Sequence, residues 1–485
     1  MRFWEETMEK NTLLIIENDY SQLVTTDTKI KRTLWDALRF REKNYFRSRL
    51  YKQRLWDGYT EFFKKETGRF LTGLLPEICA ALKHFNLDYE IVDKRNSTKF
   101  QIEKINETFL NQWLPEGMEP LTLYDYQVEL VNTSIKQKRG IVFAPTSAGK
   151  TNILLGILKS LPEKTPTLVL QNRIGLAEQN YSELQKWKVN NLGRLWGGCI
   201  EPNMITVASV QSVMKMEKVL PKIRCLIVDE IHDMMSKTPI SVYKKLKGAD
   251  IRIAISATPF KFGETDKVQK HQVKGYFGPV LKIKSTEGGV LTTSHLQERG
   301  ILSSSKCTFY PISEPSIPYD IYLDAVTRGI AENTYFNDIV TRLARKCTGR
   351  TLILVDRVAH GDRLSQALPN SLWVQGKDNT ETRKNVVLQL QQSQDTVIGI
   401  ATQQIFNTGI NVKIHNLINA AGGQADHQII QRMGRGLRTA KDKDGLNYFD
   451  FVFNINPYLL EHSKKRIKIL KEQGHDIEIK ETVDI

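Results

Sequence analysis

One segment constrains the fold more than any other. Gly140-Ile-Val-Phe143 is a short apolar run, Ala144-Pro-Thr-Ser-Ala-Gly-Lys-Thr151 follows it at once, and Thr151-Asn-Ile-Leu-Leu-Gly-Ile-Leu158 has the apolar spacing of a helix. A strand, a tight loop and a helix in direct succession is the setting of the phosphate loop G-x-x-x-x-G-K-[ST], with Ala144 in place of the leading glycine. Such a loop turns backbone N–H groups and a lysine toward a triphosphate tail, and it requires an α/β architecture.

About eighty positions later the apolar run Cys225-Leu-Ile-Val228 ends in Asp229-Glu-Ile-His232. An acidic pair at the end of a buried strand can hold Mg²⁺ and polarise a water. The two motifs together imply NTP hydrolysis.

Composition sets the outer limits. A chain of 485 residues is too long for one ordinary core and suggests about three domains. Its 40% hydrophobic and 25% charged content is that of a soluble globular protein, and no apolar stretch nears the roughly eighteen residues of a membrane span. Met1-Arg-Phe-Trp-Glu-Glu lacks the start of a signal peptide. The five cysteines are odd in number and form no C-x-x-C pair, so neither a disulfide framework nor a zinc site is indicated, and a reducing cytoplasm is expected.

The net charge of +15 favours polyanionic partners, and its distribution narrows them. Between Lys29 and Arg54 ten basic residues stand against Asp36 and Glu42, with Trp35, Phe40, Tyr45, Phe46, Tyr51 and Trp56 interleaved. Cations neutralise phosphates while rings can stack on bases or wedge against a branch point. Arg47, Arg49, Lys52 and Arg54 are therefore candidate nucleic-acid contacts. The alternative is that the rings are core and the charges a solvated face.

Along the chain, residues 1–112 read as a separate small α/β unit, with strands at Thr12–Ile16 and Tyr89–Val92 and a helix near Leu74–Leu82. Residues 113–283 alternate strand and helix, with short apolar strands at 141–143, 167–170, 205–208, 225–228 and 251–255, the pattern of a doubly wound parallel sheet. Residues 284–318, with Gly288-Gly289, the run Ser303-Ser-Ser305 and three prolines, read as a linker. A second alternating unit follows over 319–457, and a basic tail over 458–485 that either tracks phosphates or lines an exposed helix.

In that second unit the arginines of Gln428-Ile-Ile-Gln-Arg-Met-Gly-Arg-Gly-Leu-Arg438 recur three apart, on one helical face. The chain here resembles the superfamily 2 helicases, through a series of motifs along both α/β units. Tyr124-Asp-Tyr-Gln127 resembles the adenine-reading Q motif; Ala144–Thr151 is similar to motif I, Leu170-Gln-Asn-Arg173 to motif Ia, Asp229–His232 to a DExH motif II and Ser256-Ala-Thr258 to motif III. Thr206–Ser209 with Gln211 resembles a further strand-contacting motif, Ala401–Asn411 motif V and Gln431–Arg438 motif VI. Within the superfamily the resemblance points to the branch of UvsW-like, XPB-like and RecG-like helicases, including the small amino-terminal domain. Asn411 departs from the aspartate that many members use for the ribose, and Gln431 from a frequent histidine.

The resemblance implies two RecA-like doubly wound parallel-sheet domains preceded by a small α/β nucleic-acid-binding domain, using ATP and Mg²⁺. By motif position Gln127, Thr146, Ser147, Ala148, Gly149, Lys150 and Thr151 bind the nucleotide, Thr151 and Asp229 the metal, and Glu230 the attacking water. Gln431, Arg435 and Arg438 act on the γ-phosphate; His232, Ser256 and Thr258 couple the cleft to the nucleic acid; Arg173, Ser209, Gln211 and Thr402 touch the nucleic-acid backbone. The implied activity is a DNA helicase or translocase that remodels branched DNA as a monomer, in the cytoplasm of a phage-infected host, with RNA in hybrids as a possible partner. The open alternatives are a DExH RNA helicase and a nucleic-acid-binding module whose ATPase is degenerate.

Overall fold

The computed structural model describes residues 12–260, 266–316, 321–393, 395–403, 414–422 and 445–484. They fall into two compact units, one within residues 12–290 and one within 291–484, with 145–148 grouped with the second. None of the helices described is long and apolar enough to cross a membrane.

The first unit begins with strands β1 (Thr12–Ile16) and β2 (Tyr20–Val24), then helix α1 (Thr28–Ala37). Asp27 starts that helix because its carboxylate accepts the N–H groups of Lys29 and Ile30 at 2.8 and 3.1 Å. A two-stranded ribbon of β3 (Arg39–Arg41) and β4 (Tyr59–Glu61) follows, then β5 (Arg69–Leu71), α2 (Leu75–His84) and β6 (Tyr89–Asp93). The four-stranded sheet has the order β5-β2-β1-β6, and Leu14, Leu23, Leu34, Phe63, Phe70, Leu74, Ile78 and Leu82 fill its core.

This small domain is not separate from the sheet that follows. A Cβ on Gly73 would lie 2.0 Å from the carbonyl oxygen of Lys274 in helix α6 (Lys267–Phe277), so only glycine lets the two backbones touch there. Lys274 also pairs with Glu77 at 2.9 Å, Asn18 donates to the Lys247 carbonyl at 3.2 Å, and the Thr98 hydroxyl donates to Asp250 at 2.9 Å. The boundary read at residue 112 is a change of sheet inside one compact unit.

The seven-stranded sheet comprises β7 (Arg139–Phe143), β8 (Thr167–Gln171), β9 (Leu192–Trp196), β10 (Cys199–Glu201), β11 (Ile205–Ser209), β12 (Cys225–Asp229) and β13 (Ile251–Ser256). Their order is β10-β9-β11-β8-β12-β13-β7, parallel throughout except for β10 against β9. Helix α3 (Asp125–Gln137) precedes β7, α4 (Lys150–Ser160) follows it, and α5 (Ile174–Lys186) follows β8. Every residue of β8 and β13 is buried, which is why these strands read as continuous apolar runs.

The second unit is a wholly parallel seven-stranded sheet of β14 (Ser304–Ile312), β15 (Arg350–Val355), β16 (Leu372–Val374), β17 (Val397–Thr402), β18 (Asn416–Asn419), β19 (Gly445–Phe453) and β20 (Asp476–Ile479), ordered β16-β17-β15-β18-β19-β14-β20. Helix α7 (Thr334–Lys346) and the carboxy-terminal helix α8 (Pro457–Glu472) flank it.

Two sequence readings change here. Residues 284–318 are more than a linker: β14 pairs with β19 over nine residues and buries Cys307, Phe309 and Ile312. The stretch 458–485 is more than a basic tail, since α8 buries Leu459, Ser463, Arg466 and Leu470 and β20 closes the sheet beside β14.

Candidate active site

Strand register assembles the site. β13 lies between β12 and β7, pairing Asp229 with Ile255 and Ser256 with Phe143. The loop leaving β7, the acid pair leaving β12 and the serine ending β13 therefore emerge side by side at the carboxyl edge of one sheet, where open α/β sheets bind ligands.

The loop has the backbone of an anion cradle. Ser147 (φ 69°) and Gly149 (φ 78°) are left-handed, flanking Ala148, whose N–H closes a turn on the Pro145 carbonyl at 3.1 Å. A Cβ at Gly149 would lie 2.2 Å from Nε2 of Gln127. Gln127 is itself buried and accepts the Tyr124 N–H at 3.1 Å, so the Q-motif glutamine is packed against the phosphate loop. The Thr146 hydroxyl is buried without a hydrogen-bond partner among the described residues. These features suit a triphosphate, which would fill the cradle and accept a hydrogen bond from the Thr146 hydroxyl.

Lys150 opens α4 and its Nζ donates to Oε1 of Glu230 at 2.6 Å. Glu230 sits at φ 52°, a left-handed conformation unusual for a residue with a side chain, of the kind that clusters at functional sites. Its other oxygen accepts the Ser256 hydroxyl at 3.1 Å. Nδ1 of buried His232 lies 3.1 Å from the Ser256 hydroxyl and 3.3 Å from that of Thr258. Lys150, Glu230, Ser256, His232 and Thr258, drawn from three sequence motifs, thus form one continuous polar chain.

Asp229 is held differently. Its Oδ1 accepts the Glu230 N–H at 3.0 Å, while the donors to Oδ2 among the described residues are the amides of Gln171 at 3.3 Å and Asn180 at 3.5 Å. Burial raises its pKa, the neighbouring Glu230 charge adds to the rise, and Lys150 offsets part of it. Burial also pushes Glu230 upward, but Lys150 and His232 outweigh it and the net shift is downward. The pair therefore splits into a proton-prone Asp229 and an anionic Glu230. A half-buried, under-donated carboxylate, next in sequence to the Glu230 that Lys150 of α4 contacts, together with the Thr151 hydroxyl in the first turn of α4, is a donor set suited to a hard divalent cation.

Gln171 and Asn180 were not singled out from the sequence. Gln171 is fully buried at the end of β8, the strand beside β12, and a polar residue closing the apolar run Thr167–Leu170 was the available signal.

Of the expected nucleic-acid contacts on this sheet, Arg173 is exposed ahead of α5, and Gln211 is exposed with its amide donating to the Asn172 carbonyl at 3.3 Å. Ser209 is buried with its hydroxyl donating to Ser212 at 3.1 Å, and Thr402, at the end of β17 in the second unit, is buried as well; neither offers an open surface group. Gln431, Arg435 and Arg438, and residues 404–411 of the motif V stretch, lie outside the described residues. In the small domain Arg47, Arg49, Lys52 and Arg54 are all exposed on the insert between β3 and β4.

Residues 120–261, which contain this whole polar chain, match the family described as "Type III restriction enzyme, res subunit". The DNA 3'-5' translocase XPB2 of Sulfurisphaera tokodaii is 30% identical over 198 residues, covering 40% of this chain and 44% of that protein, so the match spans less than half of it. The ATP-dependent DNA helicase uvsW of Enterobacteria phage T4 is 22% identical over 411 residues, 78% of this chain and 79% of that one. Among solved structures, Dbp5 of S. cerevisiae has a like fold, with a TM-score of 0.52 at 14% identity over 75% of this chain and 91% of that chain. The chain thus carries a helicase-family domain of the type III restriction enzyme res subunit kind and is a homologue of the phage helicase and the archaeal translocase.

Proposed function

We propose that the chain is an ATP-driven DNA motor, a helicase or translocase that remodels branched DNA. The observation that carries this is the chain Lys150–Glu230–Ser256–His232–Thr258, in which the phosphate-loop lysine and the water-orienting acid share a network with the residues that leave the sheet toward the surface. The relatives' printed roles, DNA translocase and ATP-dependent DNA helicase, support DNA over RNA.

In this reading Lys150 leaves Glu230 for the β- and γ-phosphates, which frees the Glu230 carboxylate to orient and deprotonate a water. Thr151 and Asp229 hold Mg²⁺, which supplies charge neutralisation at the phosphates when bound. Gln431, Arg435 and Arg438 contribute from the second unit, with the arginines stabilising transition-state charge. Ser256, bonded to both Glu230 and His232, senses the rearrangement and passes it to Thr258. Arg173 and Gln211 grip the phosphate backbone without reading sequence, while Arg47, Arg49, Lys52 and Arg54 engage the arms of a fork or junction.

The test is ATP hydrolysis at one salt concentration with single strand, duplex, fork, four-way junction or RNA added. Fork and junction are expected to stimulate most, and Lys150→Ala to abolish hydrolysis while DNA binding persists. Hydrolysis indifferent to every nucleic acid refutes the motor, and greater stimulation by RNA replaces DNA as the track.

A further inference from the structure

The insert between β3 and β4, residues 42–58, carries Lys43, Arg47, Arg49, Lys52 and Arg54 against Glu42 and Asp57. Both acids are engaged at its base. The Thr60 hydroxyl donates to Glu42, and Asp57 pairs with Arg39 at 2.8 Å while accepting the Tyr59 N–H at 3.0 Å. Arg47, Arg49, Lys52 and Arg54 are exposed and have no acidic partner among the described residues.

Most rings of the basic block are already occupied. Arg39 stacks on Trp35 at 4.0 Å and on Tyr59 at 4.3 Å, Arg41 covers Tyr45 at 4.7 Å, Tyr45 meets Tyr51 edge-on at 4.7 Å, and the Trp56 indole donates to the Tyr59 carbonyl at 2.7 Å. Apolar surface remains open at three places: Phe46 is 52% exposed, Leu50 53% and Leu55 73%. They stand on a fixed scaffold, because Tyr45 packs against left-handed Gly58, the Glu42 N–H bonds the Gly58 carbonyl at 2.8 Å, and the Leu55 N–H bonds the Leu50 carbonyl at 2.9 Å. Beside them runs an open groove of about 580 Å³ lined by Phe46, Lys52, Arg54, Leu55 and Trp56 among others.

A single exposed apolar side chain needs no explanation, but three on one rigid insert do, even with Arg47 over the Phe46 ring at 5.8 Å, when four cations without an acidic partner among the described residues surround them. We propose that this tip is a base-binding wedge, in which Phe46 and Leu55 take the face of a nucleobase unstacked from a duplex end while Arg47, Arg49, Lys52 and Arg54 hold the flanking phosphates. An unstacked base is an apolar plane attached to an anion, and the tip offers the matching apolar plane and cations. The inference rests on the DNA reading above and assigns its strand-separating element.

The experiment uses the full chain without nucleotide and a DNA fork carrying 2-aminopurine at the first paired position. Wild type is expected to raise the emission severalfold as the base leaves the stack. Phe46→Ala/Leu55→Ala loses that rise and about tenfold in fork affinity, the scale of one lost base stack, while closed duplex binding stays within about twofold. Arg49→Ala/Arg54→Ala weakens fork and duplex alike and lowers the salt slope by about 2. Phe46→Leu/Leu55→Met, which keeps the apolar surface, retains the rise and so separates wedge loss from misfolding. An apolar-tip double variant that opens the fork like wild type overturns the proposal, as does loss of binding to phosphatidylglycerol vesicles with fork opening intact. Wild type that binds no DNA overturns it together with the motor reading, and hydrolysis unstimulated by any DNA identifies that broader failure.

Discussion

Two strand carboxylates, half-buried Asp229 in the first sheet and buried Asp450 in the second, are treated in opposite ways. Asp450 is fully satisfied: Arg466 grips both its oxygens at 2.9 Å, the Tyr448 hydroxyl donates at 2.6 Å and Asn419 at 3.0 Å. Arg466 also donates to the carbonyls of Gly422 and Phe451, locking helix α8 onto the sheet. Asp229 accepts the Glu230 N–H at 3.0 Å and two longer amide bonds, and loss of water around it disfavours its charge. A carboxylate with a complete shell holds a fold together, whereas one left short of donors is poised for a cation that arrives later.

The contrast can be broken experimentally, starting with the largest effect. Glu230→Gln is expected to lower the single-turnover hydrolysis rate by about 10² to 10⁴, the range of a general base, with nucleotide binding retained. Asp450→Asn leaves that chemistry intact in whatever protein folds, and a Glu230→Gln enzyme that hydrolyses at wild-type rate removes the distinction.

Arg466→Met should destabilise the second unit by about 3–5 kcal/mol, because it strands a buried charge. Hydrogen exchange across β19 and α8 reads the loss, and Asp450→Leu/Arg466→Met recovers much of it. Unchanged exchange in the single variant makes the pair incidental.

Acid separates the two units next. Burial lowers His360, His462 and His475, all in the second unit, to about 4. A depressed folded pKa gives stability that is present above the ordinary value near 6.5 and is lost as pH falls through about 4. For His360, which burial leaves almost no water, this is about 3 kcal/mol. Exchange near His360 and along β14 and β20 should therefore accelerate between pH 6.5 and 4, ahead of β7 to β13, and the opposite order would contradict it.

The smallest effect sharpens the comparison most. A raised folded pKa means that Asp229 costs stability as pH rises above its ordinary range, so Asp229→Asn should stabilise the nucleotide-free protein by about 1 kcal/mol at pH 7 while ending metal-dependent hydrolysis. Thermal unfolding without metal checks the sign, and a lower midpoint would mean that the Asp229 charge is satisfied by something other than a cation.

The first sheet was largely legible because its strands are short runs of apolar residues whose polar punctuation falls at the carboxyl ends, as at Val228-Asp229 and Ile255-Ser256. β14 was hidden because its two opening serines and Pro311 resemble a linker. Pro311 is tolerated there because it lies past the last residue that β20 pairs, Phe309. The charges on α8 read as a solvated tail because one-dimensional spacing does not reveal that Arg466 points inward at an aspartate.

By itself the sequence determined where the candidate phosphate loop and acid pair lie, since these and their flanking runs are local patterns set by strand and helix periodicity. Tertiary structure alone decided that Ser256 joins Glu230 to His232, that Gln171 and Asn180 hold Asp229, and that the interleaved rings are spent on Arg39 and Arg41 while Phe46 and Leu55 stay open. Each of those facts depends on strand register or on which side of an insert a side chain faces. Contacts between distant residues leave no periodic trace along the chain, so only the folded arrangement could supply them.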